Sequence, residues 1–234
     1  MLEASVTTAW RLTHPGATIG ILELSGFSNA GASPALNTRK RELEARLRER
    51  YRGFTRRDFL ALPTMAAYDR YYARFDKTYH VQLQLESLAL KGKPLPDVSP
   101  AVDANFMAEV ETLILTAGHD VAKLRGAIIM DVTQAGERML QMNGALKELR
   151  PGDMVMRDAE GVCCTIIYGQ DARSPISATT THALYVAYAP PGVTPNSVIS
   201  QLHNIETHVR LFSPTVIVEQ RRTFTAPSPL HPAS

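Results

Sequence analysis

The segment that decides the fold reads Leu90-Lys91-Gly92-Lys93-Pro94-Leu95-Pro96, and Val102-Asp103 follows it. Glycine and proline break helices, so this segment ends the Leu-rich helix that is predicted over residues 81–90. Ser99-Pro100 then begins another helix, because serine is a favoured N-cap and proline is favoured in the first turn. The apolar residues of that helix recur at helical spacing and predict a core-facing side: Val102, Phe106, Val110 and Leu113.

Further elements precede this segment. Ser33-Pro34 gives the same helix-start signal, and a second helix is predicted after Pro63. Closer to the N-terminus, loose alternation and β-branched residues predict strands over 6–11 and 18–25. The N-terminal half of the chain is therefore mainly helical after its first two strands.

After Gly118 the pattern changes from helical to β. Glycine and Pro-Gly turns separate short apolar runs of strand length, at 126–131, 138–142, 154–157, 162–168 and 183–189. Thr194-Pro195 then begins a late helix, and residues 216–224 are predicted to form an edge strand. Because helices cluster early and strands cluster late, the sequence predicts an α+β fold rather than an alternating α/β fold.

Composition is that of an ordinary globular domain: the chain has 234 residues, of which 44% are hydrophobic and 21% charged. We expect one domain over residues 1–225 and a disordered tail over 226–234. The net charge of +2 permits an RNA partner without requiring one. No apolar run is long enough to span a membrane, so no membrane association is expected.

The two cysteines, Cys163 and Cys164, are adjacent. Neighbouring residues of a strand point to opposite faces, so the two are poor disulfide partners, and this cysteine usage favours a reducing compartment, the cytoplasm. The sequence has no Walker loop, no G-x-G-x-x-G and no zinc or haem spacing, so no cofactor and no metal are predicted. Nothing in the sequence indicates the oligomeric state.

Several segments, in this order, resemble the stand-alone B3/4 domain family. The opening segment matches an L-K-G-K-x-L-P turn before a V-D helix, and Asp120 with Leu124-Arg125-Gly126 is similar to the family's Y-D-x-x-K-L-x-G. Three later segments also match: Gly136-Glu137, Pro151-Gly152-Asp153 followed by Asp158, and Ser174 through Thr180. Together they cover roughly residues 60–190.

The resemblance implies a three-layer β/β/α fold like that of the B3/B4 editing domain of the phenylalanyl-tRNA synthetase beta subunit. It also implies a function, since that domain holds the acceptor end of tRNA and hydrolyses a wrongly attached amino acid. The synthetase's pocket carries an asparagine, a histidine and a glutamate, and an ungapped reading places Phe106, Ala117 and Thr179 there. A one-residue slip would instead offer Asn105. We expect the stretch from Leu90 to Ala189 to enclose the corresponding chamber.

Ester hydrolysis needs an oriented water and a stabilised oxyanion more than a strong base. Three residues are predicted to supply this chemistry, Thr180 and His182 before a strand and His119 beside Asp120. Substrate-binding candidates lie at the start of the middle helix and near the same strands: Asp103, Asn105, Asp120, Tyr168 and Thr179. Strand propensity of threonine and the helix dipole offer structural explanations for several of them.

Basic residues are frequent between 39 and 57, where interleaved glutamates can pair with many of them. The excess after Glu49 is predicted to contact RNA phosphates: Arg50, Arg52, Arg56 and Arg57.

Three functions remain open from the sequence. The first is an aminoacyl-tRNA deacylase that acts in trans on mischarged tRNA. The second is a non-catalytic module that binds tRNA or an amino acid, which the absence of the synthetase's three polar residues favours. The third is a small-molecule pocket unrelated to RNA. The sequence indicates neither which amino acid is recognised nor whether hydrolysis occurs.

Overall fold

A computed structural model describes residues 1–228 of the chain. The helices are α1 (Thr8–Thr13), α2 (Pro34–Arg50), α3 (Arg56–Leu60), α4 (Pro63–Ala73), α5 (His80–Ala89), α6 (Pro100–Thr112) and α7 (Pro195–Arg210). The strands are β1 (Ala4–Val6), β2 (Thr18–Ser25), β3 (Thr116–Asp120), β4 (Ile128–Val132), β5 (Arg138–Leu140), β6 (Leu146–Glu148), β7 (Met154–Asp158), β8 (Gly161–Thr165), β9 (Gly169–Gln170), β10 (His182–Ala189) and β11 (Ile217–Thr225). The predicted α+β class is confirmed.

The central sheet has four strands in the order β11-β2-β10-β3, all antiparallel. Its middle strands are buried on both faces, and β11 forms the edge, as the sequence predicts. Helix α7 packs against β2, β10 and β11, and it also packs against α6. Gly20 permits this approach, because a Cβ at this position would lie 2.5 Å from Val198 Cγ1 of α7.

The second sheet has five strands in the order β1-β4-β7-β8-β9, with β1 parallel to β4 and the other pairs antiparallel. Strands β5 and β6 form a separate hairpin that closes through Asn143-Gly144, and Gly144 has a φ of 80°. Only glycine and a few polar residues adopt that conformation readily, which explains the tight turn predicted there.

Buried tyrosines connect the helices to the central sheet. The hydroxyl of Tyr68 on α4 donates to the carbonyl of Tyr188, 2.6 Å away, and accepts from the backbone N–H of Leu115 at 3.0 Å. Tyr79 stacks on Tyr68 with ring centroids 4.1 Å apart and donates to the carbonyl of Leu113. The connection between α6 and β3 is thereby fixed, which holds the two elements in one orientation.

The predicted helix starts at Ser33-Pro34, Ser99-Pro100 and Thr194-Pro195 are confirmed. The predicted strand over 6–11 is wrong, because residues 8–13 form α1. Thr7 caps this helix by accepting from the backbone N–H of Trp10 at 3.0 Å, and the Trp10 side chain is buried.

The C-terminal tail was predicted to start at residue 226. Ala226 is nevertheless buried, and its backbone N–H and carbonyl bond to Ala17 and Gly16 at 2.9 and 3.1 Å. Residues 229–234 of the predicted tail lie outside the described residues. Within residues 1–228, none of the helices combines the length and the apolar character needed to cross a bilayer.

Candidate functional site

A cavity of about 430 Å³ lies between α5, α6, the strands β3 and β10, and the β8–β9 turn. This volume is within the usual range of small-molecule sites, about 300–1,000 Å³. Its wall is mainly apolar and includes Val102, Phe106, Leu115, Ile166, Ile176 and Tyr185. The residues at the spacing i, i+3, i+4 and i+7 of α6, from Val102 to Glu109, provide one side of the cavity.

Asn105 is one of two polar residues of α6 that were predicted to bind substrate, and it does line the cavity. Its Nδ2 donates to the carbonyl oxygen of Thr116 on β3 at 2.9 Å. Because a carbonyl can only accept, this bond fixes the orientation of the amide. The other amide atom, Oδ1, is buried and has no hydrogen-bond partner within residues 1–228.

Glu109 lies one helical turn after Asn105 and lines the same cavity. Its Oε1 accepts from the backbone N–H of Thr116 at 2.7 Å, so both side chains hold the same residue of β3. Burial raises the pKa of Glu109 to about 8, against the smaller, opposite effect of the Thr116 hydrogen bond. The carboxyl group is thus mainly protonated at neutral pH.

Two further polar atoms that lack partners belong to residues of the cavity wall. Gln84 Oε1 on α5 and the Tyr188 hydroxyl on β10 are buried, and neither has a hydrogen-bond partner in the described part of the chain. Buried polar atoms in native proteins are nearly always hydrogen-bonded, so atoms that lack partners in one cavity indicate a place for a ligand or for water.

His80 begins α5 and also lines the cavity. The Tyr72 hydroxyl donates its proton to the carbonyl of Ile166 at 2.9 Å, so it accepts from His80 Nδ1 at 3.1 Å. That assignment leaves Nε2 as the unprotonated nitrogen. Desolvation lowers the pKa of His80 to about 4, which keeps the ring neutral at pH 7.

The three residues that were predicted to be catalytic do not line the cavity. Thr180 is buried and donates to Asp120 Oδ2 at 2.8 Å, and His182 Nε2 lies 2.9 Å from Glu23 Oε1 on β2. His119 is fully buried, with Nδ1 2.7 Å from Ser174 Oγ, and burial lowers the pKa of His119 to about 3. Each of these side chains has a bonding partner within the fold, and only Nε2 of His119 is buried without one among residues 1–228.

Of the predicted substrate-binding residues, only Asn105 lines the cavity. Asp103 is buried against Lys40, Asp120 bonds to Thr180, and Thr179 is an exposed neighbour of Ser177. Tyr168 directly precedes Gly169 of the cavity wall, but its ring lies under Lys147, whose Nζ is 5.4 Å from the ring centroid. The structure therefore separates these residues from the cavity.

Three positions of this chain were matched to the synthetase's polar pocket residues, and the structure places only some of them at the cavity. Phe106 and Ala117 both line the cavity, whereas Thr179 does not. Two of these three matched positions thus fall on one chamber, and both carry apolar residues in this chain.

The basic residues predicted to contact RNA lie at the end of α2 and on α3. Arg50 lies over the ring of Tyr51, with its Cζ 5.2 Å from the centroid, and Arg52 pairs with Glu49. Arg56 pairs with Glu86 of α5 at 3.5 Å, and Arg57 is exposed without an ion pair among residues 1–228. Arg56 thereby connects to the helix that presents His80 and Gln84 to the cavity.

Several polar residues of the cavity were not predicted from the sequence, among them His80, Gln84, Glu109 and Tyr188. One signal was present, because Glu109 lies three residues after Phe106 on the apolar face of its helix, where a carboxyl group is unusual. The other three, two on α5 and one on β10, carried no such signal. Within residues 1–228, no group of three His, Cys, Asp or Glu side chains is arranged to hold a metal ion.

The family model described as the B3/4 domain matches residues 67–216. Among solved structures, an N-terminal fragment of the phenylalanyl-tRNA synthetase beta-subunit from Pyrococcus horikoshii is similar, with a TM-score of 0.46 and 9% sequence identity. The similarity covers 93% of this chain and 54% of that one, so this chain spans about half the length of the fragment. A comparison with curated proteins gives no match. Because residues 67–216 make up more than half of the sequence and include most of the cavity wall, the chain belongs to the B3/4 domain family.

Proposed function

We propose that this protein binds the aminoacyl end of tRNA in the cavity beside α6 and hydrolyses mischarged aminoacyl-tRNA in trans. One observation carries the proposal: a mainly apolar chamber of about 430 Å³, lined by Phe106 and Ala117 of the family's pocket positions, contains polar atoms without partners. An aminoacyl group matches such a chamber, because it combines an apolar side chain with a small polar head.

The chemistry requires a water that attacks the ester carbonyl. A new bond forms between the water oxygen and the carbonyl carbon, and the bond to the ribose oxygen breaks. One water proton ends on the ribose hydroxyl that leaves. His80 is the side chain of the cavity wall that suits this task, because its Nε2 is unprotonated and can accept the proton of the attacking water. Positioning of the ester supplies the larger part of the rate increase.

A deacylation assay tests the proposal. A panel of tRNAs, each charged with a different amino acid, is incubated with the protein, and the lifetime of every ester is measured. We expect the wild-type protein to shorten the lifetime of one or a few esters, and His80→Ala to leave those lifetimes unchanged. His203→Ala is the control, because His203 is exposed on α7 outside the cavity, and we expect it to act like the wild type. Equal lifetimes with and without protein over the whole panel would refute hydrolysis.

A second candidate is a binding module without turnover. It is favoured by one observation, since Thr180, His182 and His119 do not line the cavity and bond to other residues of the fold. In that case the protein would bind charged tRNA and leave every ester lifetime unchanged or longer. A filter-binding measurement on the same charged tRNAs distinguishes this outcome from the absence of any interaction.

A further inference from the structure

We infer that the cavity recognises a primary ammonium group joined to an apolar substituent, in a ligand without a free carboxylate, and that Asn105, Gln84 and Glu109 hold that ammonium. An aminoacyl ester is such a ligand, so the inference deepens the proposed function and rests on the same chamber. It applies equally to a simple amine or an amino-acid amide.

The cavity contains hydrogen-bond acceptors that lack donors. Asn105 Oδ1 and Gln84 Oε1 can only accept hydrogen bonds, and both are buried without a donor in the described part of the chain. Glu109 uses Oε1 for Thr116, and its Oε2 has no hydrogen bond within residues 1–228. An ammonium group has three donors and no acceptor, which matches three acceptor atoms of the cavity.

The charge of the cavity wall also bears on the ligand. None of the residues that the structure places on the cavity wall is Lys or Arg, so a carboxylate on the ligand would find no cation there. A buried anion without a partner is strongly unfavourable. An ammonium finds a carboxyl group that can ionise beside it, and a buried pair of opposite charges with hydrogen bonds is tolerated.

The side chains around Glu109 determine whether its carboxyl group can ionise when a ligand binds. The titratable side chains around it are Tyr68 and Tyr72 on α4, Tyr79 and His80 at the start of α5, Cys164 on β8 and Tyr188 on β10. Burial raises the pKa of the tyrosines and of Cys164, and desolvation of the partly exposed His80 ring lowers the pKa of His80 to about 4. All are uncharged at neutral pH, so a ligand ammonium would be the first cation near this carboxyl group.

A measurable consequence follows. Glu109 is protonated in the empty cavity at about pH 6.5, and an amino-acid amide carries its charge in solution at that pH. When the ammonium binds, the adjacent carboxyl group ionises and its proton is released. Binding is therefore coupled to the release of about one proton.

Isothermal titration calorimetry tests the inference with three amides as probes, those of L-phenylalanine, L-leucine and L-methionine. Each is titrated at about pH 6.5 in two buffers that differ in ionisation enthalpy, which yields the number of protons released. The N-acetylated amides and the free amino acids serve as matched ligands. We expect at least one amide to bind with release of about one proton, and its N-acetyl derivative and free acid to bind at least about tenfold more weakly.

Two variants test which residues are responsible for the proton release and for the affinity. Glu109→Gln keeps the shape and the bond to Thr116, and we expect it to lose the proton release and about tenfold or more in affinity. Asn105→Ala is expected to weaken binding while it preserves the proton release, which separates ligand recognition from a folding defect. The titrations of the wild-type protein need no variant, so they test the inference even if Glu109→Gln fails to fold.

Three results would overturn the inference: no amide binds, an N-acetyl derivative binds as tightly as its amine, or binding releases no proton. The proposed function fails separately. Amide binding with proton release but no deacylation of any tRNA would leave the ammonium site in place and remove the hydrolase. Deacylation without proton-coupled amide binding would support the hydrolase and remove the ammonium site.

Discussion

Lys40 Nζ lies 2.6 Å from Asp103 Oδ2, and this ion pair is buried between α2 and α6. Lys40 also donates to the carbonyl of Pro96 at 3.0 Å, and Asp103 Oδ1 accepts from the backbone N–H of Val98 at 2.9 Å. The two side chains thus fix the turn that precedes α6, the segment from which the fold was predicted. Asp103 contributes to the cavity only indirectly, by holding the start of the helix that carries Asn105 and Glu109.

The first prediction concerns this pair. Lys40→Ala leaves the carboxylate of Asp103 buried without its cation, which typically costs about 3–5 kcal/mol. We expect a loss of that size in the free energy of unfolding, measured by urea denaturation near pH 7. Arg39→Ala is the control, because Arg39 pairs with Glu42 at 3.5 Å on the surface and such pairs contribute less than about 1 kcal/mol. Equal effects of the two variants would contradict the structural role of Lys40.

The second prediction concerns the pH dependence of stability. Burial raises the pKa of Glu109 to about 8, whereas an unfolded glutamate titrates near about 4.3. Between these values the folded protein retains a proton that the unfolded chain releases, so stability falls as the pH rises, by up to roughly 1.4 kcal/mol per pH unit. Glu109→Gln cannot ionise and removes this slope.

The measurement compares urea unfolding of wild type and Glu109→Gln at about pH 5, 6.5 and 8. Other groups titrate in the same range, including Asp153, whose pKa is raised to about 6 by burial. They are common to both proteins, so the difference between the two profiles isolates Glu109. The variant is expected to gain on the wild type as the pH rises; parallel profiles would show that Glu109 is not buried as described.

The third prediction concerns the packing of α7 on the central sheet. A Cβ at Gly20 would lie 2.5 Å from Val198 Cγ1 and 3.0 Å from Leu202 Cδ1. We expect Gly20→Ala to destabilise the protein by about 1–3 kcal/mol, as overpacked cores do. In a Val198→Ala background the same change is expected to cost less, since the nearest atom is absent. Thermal unfolding of the four proteins measures the coupling, and additive effects would argue against this contact.

Local signals explain how much of the fold was predictable. Ser33 and Thr194 accept from backbone N–H groups within the first turn of their helices, and proline follows each of them, so the local sequence suffices to locate these helix starts. Ser99-Pro100 also begins its helix, but the Ser99 side chain makes no cap hydrogen bond there. Strand β3 was missed because Thr116–Asp120 lacks apolar alternation, and its strand form depends on pairing with β10 from 63 or more residues later. Thr7 in turn shows that a single cap can override strand propensity over residues 8–11.

The residues of the cavity were also predictable only in part. The resemblance to the family placed Phe106, Ala117 and Thr179 in a pocket, with Asn105 as the alternative to Phe106. Phe106, Ala117 and Asn105 line the cavity, whereas Thr179 does not. Gln84, Glu109 and Tyr188 come from α5, α6 and β10, and only tertiary structure brings them to one space. Thr180 precedes β10 and His182 begins it, and this strand does contribute to the cavity, but the two side chains bond to Asp120 and Glu23 instead. Proximity in sequence did not reveal which way these side chains point.

The fourth prediction concerns RNA binding. Arg57 is exposed and makes no ion pair within residues 1–228, and Arg56 lies beside α5 of the cavity. If they contact tRNA phosphates, each change to alanine weakens binding and reduces the slope of log K against log salt by about 0.7–0.9. Arg222→Ala on β11 is the control, because its guanidinium lies over Phe224 away from α5. Filter binding over a salt series measures the slope, and unchanged slopes for Arg56→Ala and Arg57→Ala would exclude these contacts.

The fifth prediction concerns the cavity itself. Ala117 lies on β3 opposite Val186, and its side chain is half-buried on the cavity wall. In Ala117→Leu the larger side chain can extend into the existing space, so we expect a change in stability of less than about 1.5 kcal/mol. Binding of the amino-acid amides and any deacylation are expected to fall by about tenfold or more, because the ligand and the leucine compete for one volume. Ala73→Leu, on the exposed end of α4, adds the same atoms outside the cavity and is expected to leave both activities unchanged. Full activity of Ala117→Leu would place the ligand elsewhere on the molecule, whatever the stability of the variant.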